Sequence, residues 1–280
     1  MNRLQVDSYE EHLDIAFPAA APAGLTEPEK AVLLQLYVRY EQAAGRPQPN
    51  LLGTELTEAS LLKVLNAYDL IQERRRLSKL RTSLKLLAER CPYCGYGTID
   101  ELDHFLQKDI YKAFSVFPLN LVPCCGPCNR MKPKQPSALA EQHQVHVYLE
   151  DVSQYDMLRA DVAIAPATGG LLIGFRLQQP AHMPAELFNR VVHHMTTFKL
   201  RERFVRQTNI FLAGLETAMD DAFEAGPLVL QQYLGRTAAS IARRAGNNDW
   251  RSALMAGLSA CPAFFGGAYK QALGSRPEAG

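Results

Sequence analysis

The chain has 280 residues, of which 47% are hydrophobic and 21% are charged, and its formal net charge is +1. This composition is ordinary for a soluble globular protein with one large domain or two small ones. No apolar run is long enough to span a bilayer, and the acidic N-terminus predicts no signal peptide. The near-neutral charge excludes nucleic-acid binding through a strong overall basic field, so such binding would depend on local patches or on a partner.

The N-terminal region is predicted to be helical. Thr26 and Glu29 have the spacing of a capping box, and an apolar pattern with helical periodicity follows and stops at Gly45. A second helical pattern covers residues 57 to 72. Residues 74 to 85 contain no acid and predict a basic helix, which either lies against a DNA backbone or is an ordinary solvated face. Its basic residues are Arg74, Arg75, Arg76, Lys79, Arg81 and Lys85.

Five of the six cysteines lie between residues 91 and 128. Cys91 with Cys94, and Cys125 with Cys128, form two C-x-x-C pairs, the spacing with which thiolates hold a structural zinc ion. Their clustering favours a metal in a reducing cytoplasm over a secreted disulfide framework. Cys124 lacks the spacing to Cys128 and is interpreted as a packed bystander. A redox pair or a set of buried thiols is the alternative to zinc.

Polar residues between the two cysteine pairs, together with Asn129 directly after the second pair, suit metal-assisted hydrolysis of a phosphodiester. Asp103 and His104 follow a strand-like run at residues 98 to 102, Asn120 precedes another, and Asn129 stands where a helix would begin. A zinc ion that ties the first strand to the helix would bring Asp103, His104 and Asn129 together. Carboxylate and amide oxygens suit Mg²⁺ or Mn²⁺, and a neutral imidazole can take a proton from water.

The chain after the second cysteine pair changes character. Two prolines end any helix begun there, and short β-leaning runs follow at residues 146 to 149, 160 to 164 and 171 to 177. The last two runs are separated by a Gly-Gly turn and predict a hairpin. From Pro184 onward the pattern is helical, and His194, close to an apolar stripe, is interpreted as a packed core histidine rather than a metal ligand.

Three segments carry a resemblance to a known family: residues 102–108 (LDHFLQK), 120–123 (NLVP) and 125–132 (CGPCNRMK). They resemble the HNH endonucleases, or ββα-metal nucleases, of the zinc-stapled type. The resemblance implies a β-hairpin with one helix as the core fold. It also implies cleavage of DNA to 5′-phosphate and 3′-hydroxyl ends, with structural Zn²⁺ and catalytic Mg²⁺ or Mn²⁺.

The same resemblance assigns roles to individual residues. His104 would be the general base, Asp103 and Asn129 would be ligands of the catalytic ion, and Asn120 would hold the loop and the histidine in place. Asn129 stands where many relatives have His, a variant that active members also use, and Gln107 stands where a Pro is common. Three basic residues of the motif are predicted to contact phosphate: Lys108, Arg130 and Lys132.

The predicted fold class is α+β, mainly helical, in three regions. An N-terminal helical region at residues 1–89 precedes the HNH core with its four-cysteine zinc site at residues 90–136. A C-terminal region at residues 137–280 holds a short β-hairpin and helices. One active site cuts one strand at a time, so a double-strand break would need two events or two copies, as in a homodimer.

The chain also resembles standalone HNH proteins of bacteria and phages. Several of these are effector subunits of anti-phage systems that work with an ATPase or another sensor. The expected function is therefore cleavage of DNA in the cytoplasm, as an antiviral defence nuclease that receives its substrate from such a partner. Two alternatives stay open: a non-catalytic zinc-binding scaffold subunit, and an RNA-cleaving toxin that uses the same site.

Overall fold

The computed structural model describes residues 8–18 and 24–273. Within these ranges the chain is mainly helical with two small antiparallel hairpins, which confirms the prediction at this level. None of the described helices is both long and apolar enough to cross a membrane. The first seven residues, which contributed to the expectation that no signal peptide is present, lie outside the described ranges.

The secondary structure alternates helices with the two hairpins. The helices are α1 (Tyr9–Ala16), α2 (Glu27–Gln42), α3 (Glu58–Asn66), α4 (Ser78–Lys85), α5 (Gly126–Met131), α6 (Ala185–Thr197), α7 (Leu200–Ala213), α8 (Glu216–Glu224), α9 (Pro227–Ala245), α10 (Trp250–Ser259) and α11 (Tyr269–Ala272). The strands are β1 (Glu101–His104), β2 (Leu121–Cys124), β3 (Leu158–Ile164) and β4 (Leu171–Leu177).

The chain divides into two compact units. The first contains the chain up to Asp151 together with Asn189–Phe198, and the second contains Val152–Phe188 and the chain from Lys199 onward. The region boundaries predicted at residues 89 and 136 follow the motif rather than this division and remain predictions.

Helices α2 and α3 of the first unit begin where the sequence predicts. The capping box of α2 is formed, with Thr26 N donating to Glu29 Oε2 at 2.7 Å and Glu29 N donating to Thr26 Oγ1 at 3.4 Å. Helix α3 begins after Thr57, whose hydroxyl caps it, but a 3₁₀ turn replaces the α-helix from residue 67. The basic segment is helical only within α4, because Arg74 adopts a left-handed backbone with φ of 64°.

An aromatic cluster joins α2 to the segment between β1 and β2. The rings of Tyr37 and Phe117 stack with centroids 4.0 Å apart, and Tyr40 lies 5.0 Å from Phe114. All four side chains are fully buried, so α2 anchors this segment by its largest apolar groups.

The first hairpin pairs Glu101 with Cys124 and His104 with Leu121, and α5 follows β2 at once. The strand predicted from residue 98 begins later, at Glu101. Before the strand, residues 91 to 97 form a turn that is closed by the hydrogen bond from Cys91 N to Gly97 O, at 2.8 Å. The observed order is strand, long connection, strand and helix.

The strand predicted at residues 146 to 149 is wrong, because this segment forms a turn. His146 Nδ1 accepts hydrogen bonds from the backbone N–H groups of Tyr148 and Leu149, at 3.2 and 3.3 Å. His146 N in turn donates to Glu150 Oε2 at 2.8 Å. Side chains thus take the backbone donors that a strand would present to a neighbour.

The second unit contains the predicted hairpin. Strands β3 and β4 pair in antiparallel register from Leu158 with Leu177 to Ile164 with Leu171. Phe175 of β4 packs edge-on against Phe204 of α7, which lies parallel to the Trp250 ring of α10. The hairpin is thereby covered by helices on one face.

Candidate metal centre and active site

Four cysteine thiols of the first unit lie close enough to share one metal ion. The Sγ atoms of Cys91, Cys94, Cys125 and Cys128 are all within 4.8 Å of one another, and the four side chains are buried. None of the six cysteines, all of which lie in the described ranges, forms a disulfide bond. Around a tetrahedral zinc with Zn–S bonds of about 2.3 Å, sulfurs lie about 3.8 Å apart. The 3.9 Å between Cys94 Sγ and Cys125 Sγ fits that spacing, so the cluster could hold zinc.

Two glycines shape the turn that carries the first cysteine pair. Gly95 has a left-handed backbone with φ of 74°, and its N–H donates to Cys91 O at 2.8 Å. Gly97 N donates to Cys94 Sγ at 3.3 Å. A Cβ at Gly97 would lie 2.8 Å from Cys125 Sγ, so the two cysteine pairs meet only because this position lacks a side chain.

Asp103, the predicted ligand of a catalytic ion, is buried and held by two donors on one oxygen. The Tyr93 hydroxyl donates to Asp103 Oδ2 at 2.6 Å, and Lys132 Nζ lies 2.8 Å from the same oxygen. Within the described part of the chain, no donor contacts Oδ1. The carboxylate is therefore oriented, with one oxygen left for another ligand.

The Tyr93 ring stacks on Phe198 with centroids 4.9 Å apart. The Tyr93 carbonyl oxygen also accepts a hydrogen bond from His194 Nε2 at 2.9 Å. Sequence spacing gave no sign of the hydroxyl contact with Asp103. Because Tyr93 lies between Cys91 and Cys94, it connects the cysteine cluster directly to this carboxylate.

His104 has the protonation state that a general base needs. Its Nε2 lies 3.0 Å from Ser115 O, and a carbonyl can only accept, so Nε2 carries the proton and Nδ1 keeps its lone pair. The imidazole packs edge-on against Tyr68, with centroids 4.4 Å apart. Burial lowers the pKa of His104 to about 4, which leaves the ring neutral at pH 7.

Asn120 is fully buried and ties down the segment between β1 and β2. Its Oδ1 accepts from Leu106 N at 2.7 Å, and its Nδ2 donates to the carbonyls of Leu106 and Phe114, both at 3.1 Å. The carbonyl of the next residue, Ser115, orients His104. Asn120 thus holds the backbone that sets the histidine tautomer.

Tyr40 and His146 support Asn120 from distant parts of the first unit. Since backbone N–H groups donate to His146 Nδ1, its Nε2 carries the proton and donates to the Tyr40 hydroxyl oxygen, 3.0 Å away. The Tyr40 hydroxyl donates in turn to Asn120 Oδ1 at 3.0 Å. Tyr40 lies within the apolar helical pattern that ends before Gly45, and nothing local in the sequence identified either residue.

Replacing Tyr40 with Phe should lower the free energy of unfolding by about 1–2 kcal/mol, because the buried hydrogen bonds of its hydroxyl with Asn120 Oδ1 and His146 Nε2 are lost. Chemical denaturation of the purified chain would measure this. Tyr37→Phe is the matched control on the same helix, since the Tyr37 hydroxyl is buried without a hydrogen-bond partner among the described residues. Equal losses in both variants would contradict a role for the Tyr40 hydroxyl.

Asn129, the second predicted ligand, is connected to β1 through Glu101. Its Nδ2 donates to Glu101 Oε2 at 2.6 Å, which leaves the amide oxygen available for a cation. Glu101 and Asp103 are two residues apart on β1 and therefore project from the same face. Glu101 was not among the site residues predicted from the sequence. The acid lies in the strand-like run before Asp103, and only the fold brings it to the helix.

The three predicted phosphate contacts lie in different surroundings. Lys132 is buried, and its Nζ also donates to His104 O. Lys108 Nζ lies over the Tyr68 ring, 4.9 Å from its centre. The Arg130 side chain is 71% exposed, with Nη1 3.9 Å from Glu101 Oε1. Of the three predicted phosphate contacts, Arg130 therefore has a mostly exposed charged group, whereas Lys132 is buried.

The basic segment borders the first strand. Arg81 Nη2 and Lys85 Nζ donate to Asp100 O, at 3.4 and 2.7 Å. Asp100 Oδ1 accepts from Gly126 N, at the start of α5, at 2.9 Å. Helix α4 therefore lies beside the first hairpin and α5, and its Arg81 and Lys85 side chains lie next to the first residue of β1.

Comparison with known proteins adds one relative. The chain is similar to protein ea31 of Escherichia phage lambda, with 34% identity over 118 residues. The match covers 41% of this chain and 40% of the phage protein, and the relative's name states no activity. No protein-family model and no solved structure matches the chain.

Proposed function

We propose that the chain is a metal-dependent endonuclease of the HNH type that hydrolyses phosphodiester bonds in DNA. One observation carries the proposal: a buried, neutral His104 with its Nδ1 lone pair available, beside the buried carboxylate of Asp103. Both stand at the end of a strand in a strand–strand–helix arrangement between two cysteine pairs. This is the arrangement that the sequence resemblance implies.

The side chains divide the work of hydrolysis. His104 takes the proton of the attacking water at Nδ1, while the Ser115 carbonyl fixes the ring. Asp103 Oδ1 and the Asn129 amide oxygen would hold a divalent ion. When bound, that ion stabilises negative charge on the phosphate and on the leaving oxygen. Asn120 keeps the connection between the strands in place, and the four cysteines, with structural zinc bound, would fix the helix to the first strand.

Cleavage of supercoiled plasmid by the zinc-loaded protein tests the proposal. Zinc-loaded protein in buffer without Mg²⁺ or Mn²⁺ is the control, since EDTA would also remove structural zinc. We expect nicked or linear DNA only when Mg²⁺ or Mn²⁺ is added. A parallel arm with single-stranded and structured RNA separates DNA cleavage from the RNA-cleaving alternative.

A non-catalytic zinc scaffold is the second candidate, and one contact favours it. Lys132 Nζ lies 2.8 Å from Asp103 Oδ2, so the carboxylate already has a positively charged partner, as in a purely structural ion pair. This candidate predicts that folded, zinc-loaded protein cuts neither DNA nor RNA at any concentration of divalent ion.

We also propose that a partner, an ATPase or another sensor of an anti-phage system, delivers the DNA. The net charge of +1 supports this, because phosphate neutralisation supplies most nucleic-acid affinity. The isolated chain should therefore bind duplex DNA weakly at physiological salt, which fluorescence anisotropy would measure. Tight binding that is insensitive to salt would contradict dependence on a partner.

A further inference from the structure

A lysine ammonium occupies the carboxylate that the proposed function assigns to the divalent ion. Lys132 Nζ lies 2.8 Å from Asp103 Oδ2, and both side chains are only 4% exposed. The same ammonium donates to His104 O and lies 5.6 Å from the centre of the Phe105 ring. A charge this deeply buried is stable only when paired, so Lys132 and Asp103 are counter-ions in this structure.

The backbone of Lys132 is fixed by the cysteine cluster, whereas its side chain is long enough to move. Lys132 is the C-cap residue of α5, and its N–H donates to Cys128 O at 3.1 Å. The Tyr93 hydroxyl holds Asp103 Oδ2 independently of the lysine. Asp103 would therefore keep its orientation if the ammonium left.

We infer that Lys132 is the internal counter-ion of Asp103 in the ion-free protein and is exchanged for the divalent ion when the site loads. The ion at Asp103 Oδ1 and the ammonium at Oδ2 would lie side by side on one carboxylate, and at that distance the two positive centres repel each other. Ion binding thus releases the ammonium from Oδ2 and makes it available to a substrate phosphate. This inference rests on the proposed function and names a regulation of the same site.

Divalent-ion affinity tests the exchange without any measurement of activity. Lys132→Met removes the charge and keeps the length of the side chain. We expect the zinc-loaded variant to bind Mn²⁺ at least about tenfold more tightly than the wild type, because ion binding no longer displaces an ammonium. Titration of the free Mn²⁺ signal by electron paramagnetic resonance would measure the affinity. Lys134→Met is the matched control, two residues away and exposed, and should bind as the wild type does.

Lysine labelling of the wild type provides a second test that needs no variant. An amine-reactive ester should modify Lys134 with or without Mn²⁺, but should modify Lys132 only in the Mn²⁺-loaded protein. Peptide mapping by mass spectrometry would show an increase of at least about fivefold at Lys132, as expected for a side chain that moves from burial into solvent. This test decides the question even if Lys132→Met does not fold.

The outcomes separate this inference from the proposed function. Equal or weaker Mn²⁺ binding by Lys132→Met, or unchanged labelling of Lys132 in protein that binds Mn²⁺, overturns the exchange and leaves the nuclease proposal standing. If none of the proteins binds Mn²⁺ at millimolar concentration, both proposals fail.

Discussion

Replacing His104 with alanine should lower the rate of metal-dependent DNA cleavage by about 10²–10⁴-fold, the usual contribution of a positioned general base. The Ser115 carbonyl fixes the proton on Nε2, so Nδ1 is the atom that can take a proton from water. Burial keeps the ring neutral at pH 7 and thus competent as a base. Plasmid cleavage in Mg²⁺ or Mn²⁺ would give the rate.

The controls for this variant separate catalysis from folding. His182→Ala removes an exposed histidine of the second unit and should leave the rate unchanged. Zinc content and thermal unfolding of His104→Ala show whether the first unit is intact. Added imidazole should restore part of the rate if the lost group is the base. Wild-type cleavage by folded His104→Ala would rule out this mechanism.

The local parts of the fold and site could be predicted from the sequence because short spacings determine them. A C-x-x-C pair closes a turn on its own, and two such pairs predict a shared metal site. The four thiols do lie close enough together to hold one ion. The capping box at Thr26 and the hairpin of β3 and β4 are equally local, and both are confirmed. Each depends on residues that are close in sequence.

The contacts that arrange the polar site could not be predicted, because they join distant segments. The Tyr40 hydroxyl forms hydrogen bonds with Asn120 and His146, which are 80 and 106 residues away in the sequence. A helical apolar pattern gives no information about the partners of this hydroxyl. Lys132 has the sequence context of a surface lysine, yet the end of α5 places it against Asp103. Periodicity reports which face of a helix is apolar and carries no information about such pairs.

The segment at residues 146 to 149 shows why a β-leaning composition was misleading. Its pattern indicates a strand, but His146 Nδ1 accepts two backbone N–H groups and stabilises a turn. A side chain that competes for backbone donors overrides an intrinsic preference of about 1 kcal/mol or less. The same histidine supports Tyr40, so the turn contributes to the site.

Loss of zinc from the four-cysteine cluster should unfold the first unit and abolish cleavage. Structural zinc contributes about 10–16 kcal/mol in small zinc-binding peptides, which exceeds the stability of many whole domains. Cys128→Ser removes one thiolate from a buried site, and the remaining three cannot complete a tetrahedron. Zinc content by mass spectrometry and thermal unfolding by circular dichroism would measure the loss.

Cys124→Ser is the matched control, since Cys124 is also buried but does not belong to the cluster. Burial raises the pKa of the Cys124 thiol, so it stays protonated and is a poor metal ligand. This variant should keep its zinc. Equal zinc loss from Cys124→Ser and Cys128→Ser, or full zinc content in Cys128→Ser, would contradict the assignment.

The same substitution should also affect the proposed active site, because the cluster holds both donors of Asp103. Tyr93 lies within the first cysteine pair, and Lys132 N donates to the Cys128 carbonyl. Without zinc the two segments are free to separate, and Asp103 loses its hydroxyl and ammonium partners together. Cleavage should therefore fall in proportion to zinc content as the metal is withdrawn. Activity that persists in folded, zinc-free protein would mean that the cysteines do not position Asp103.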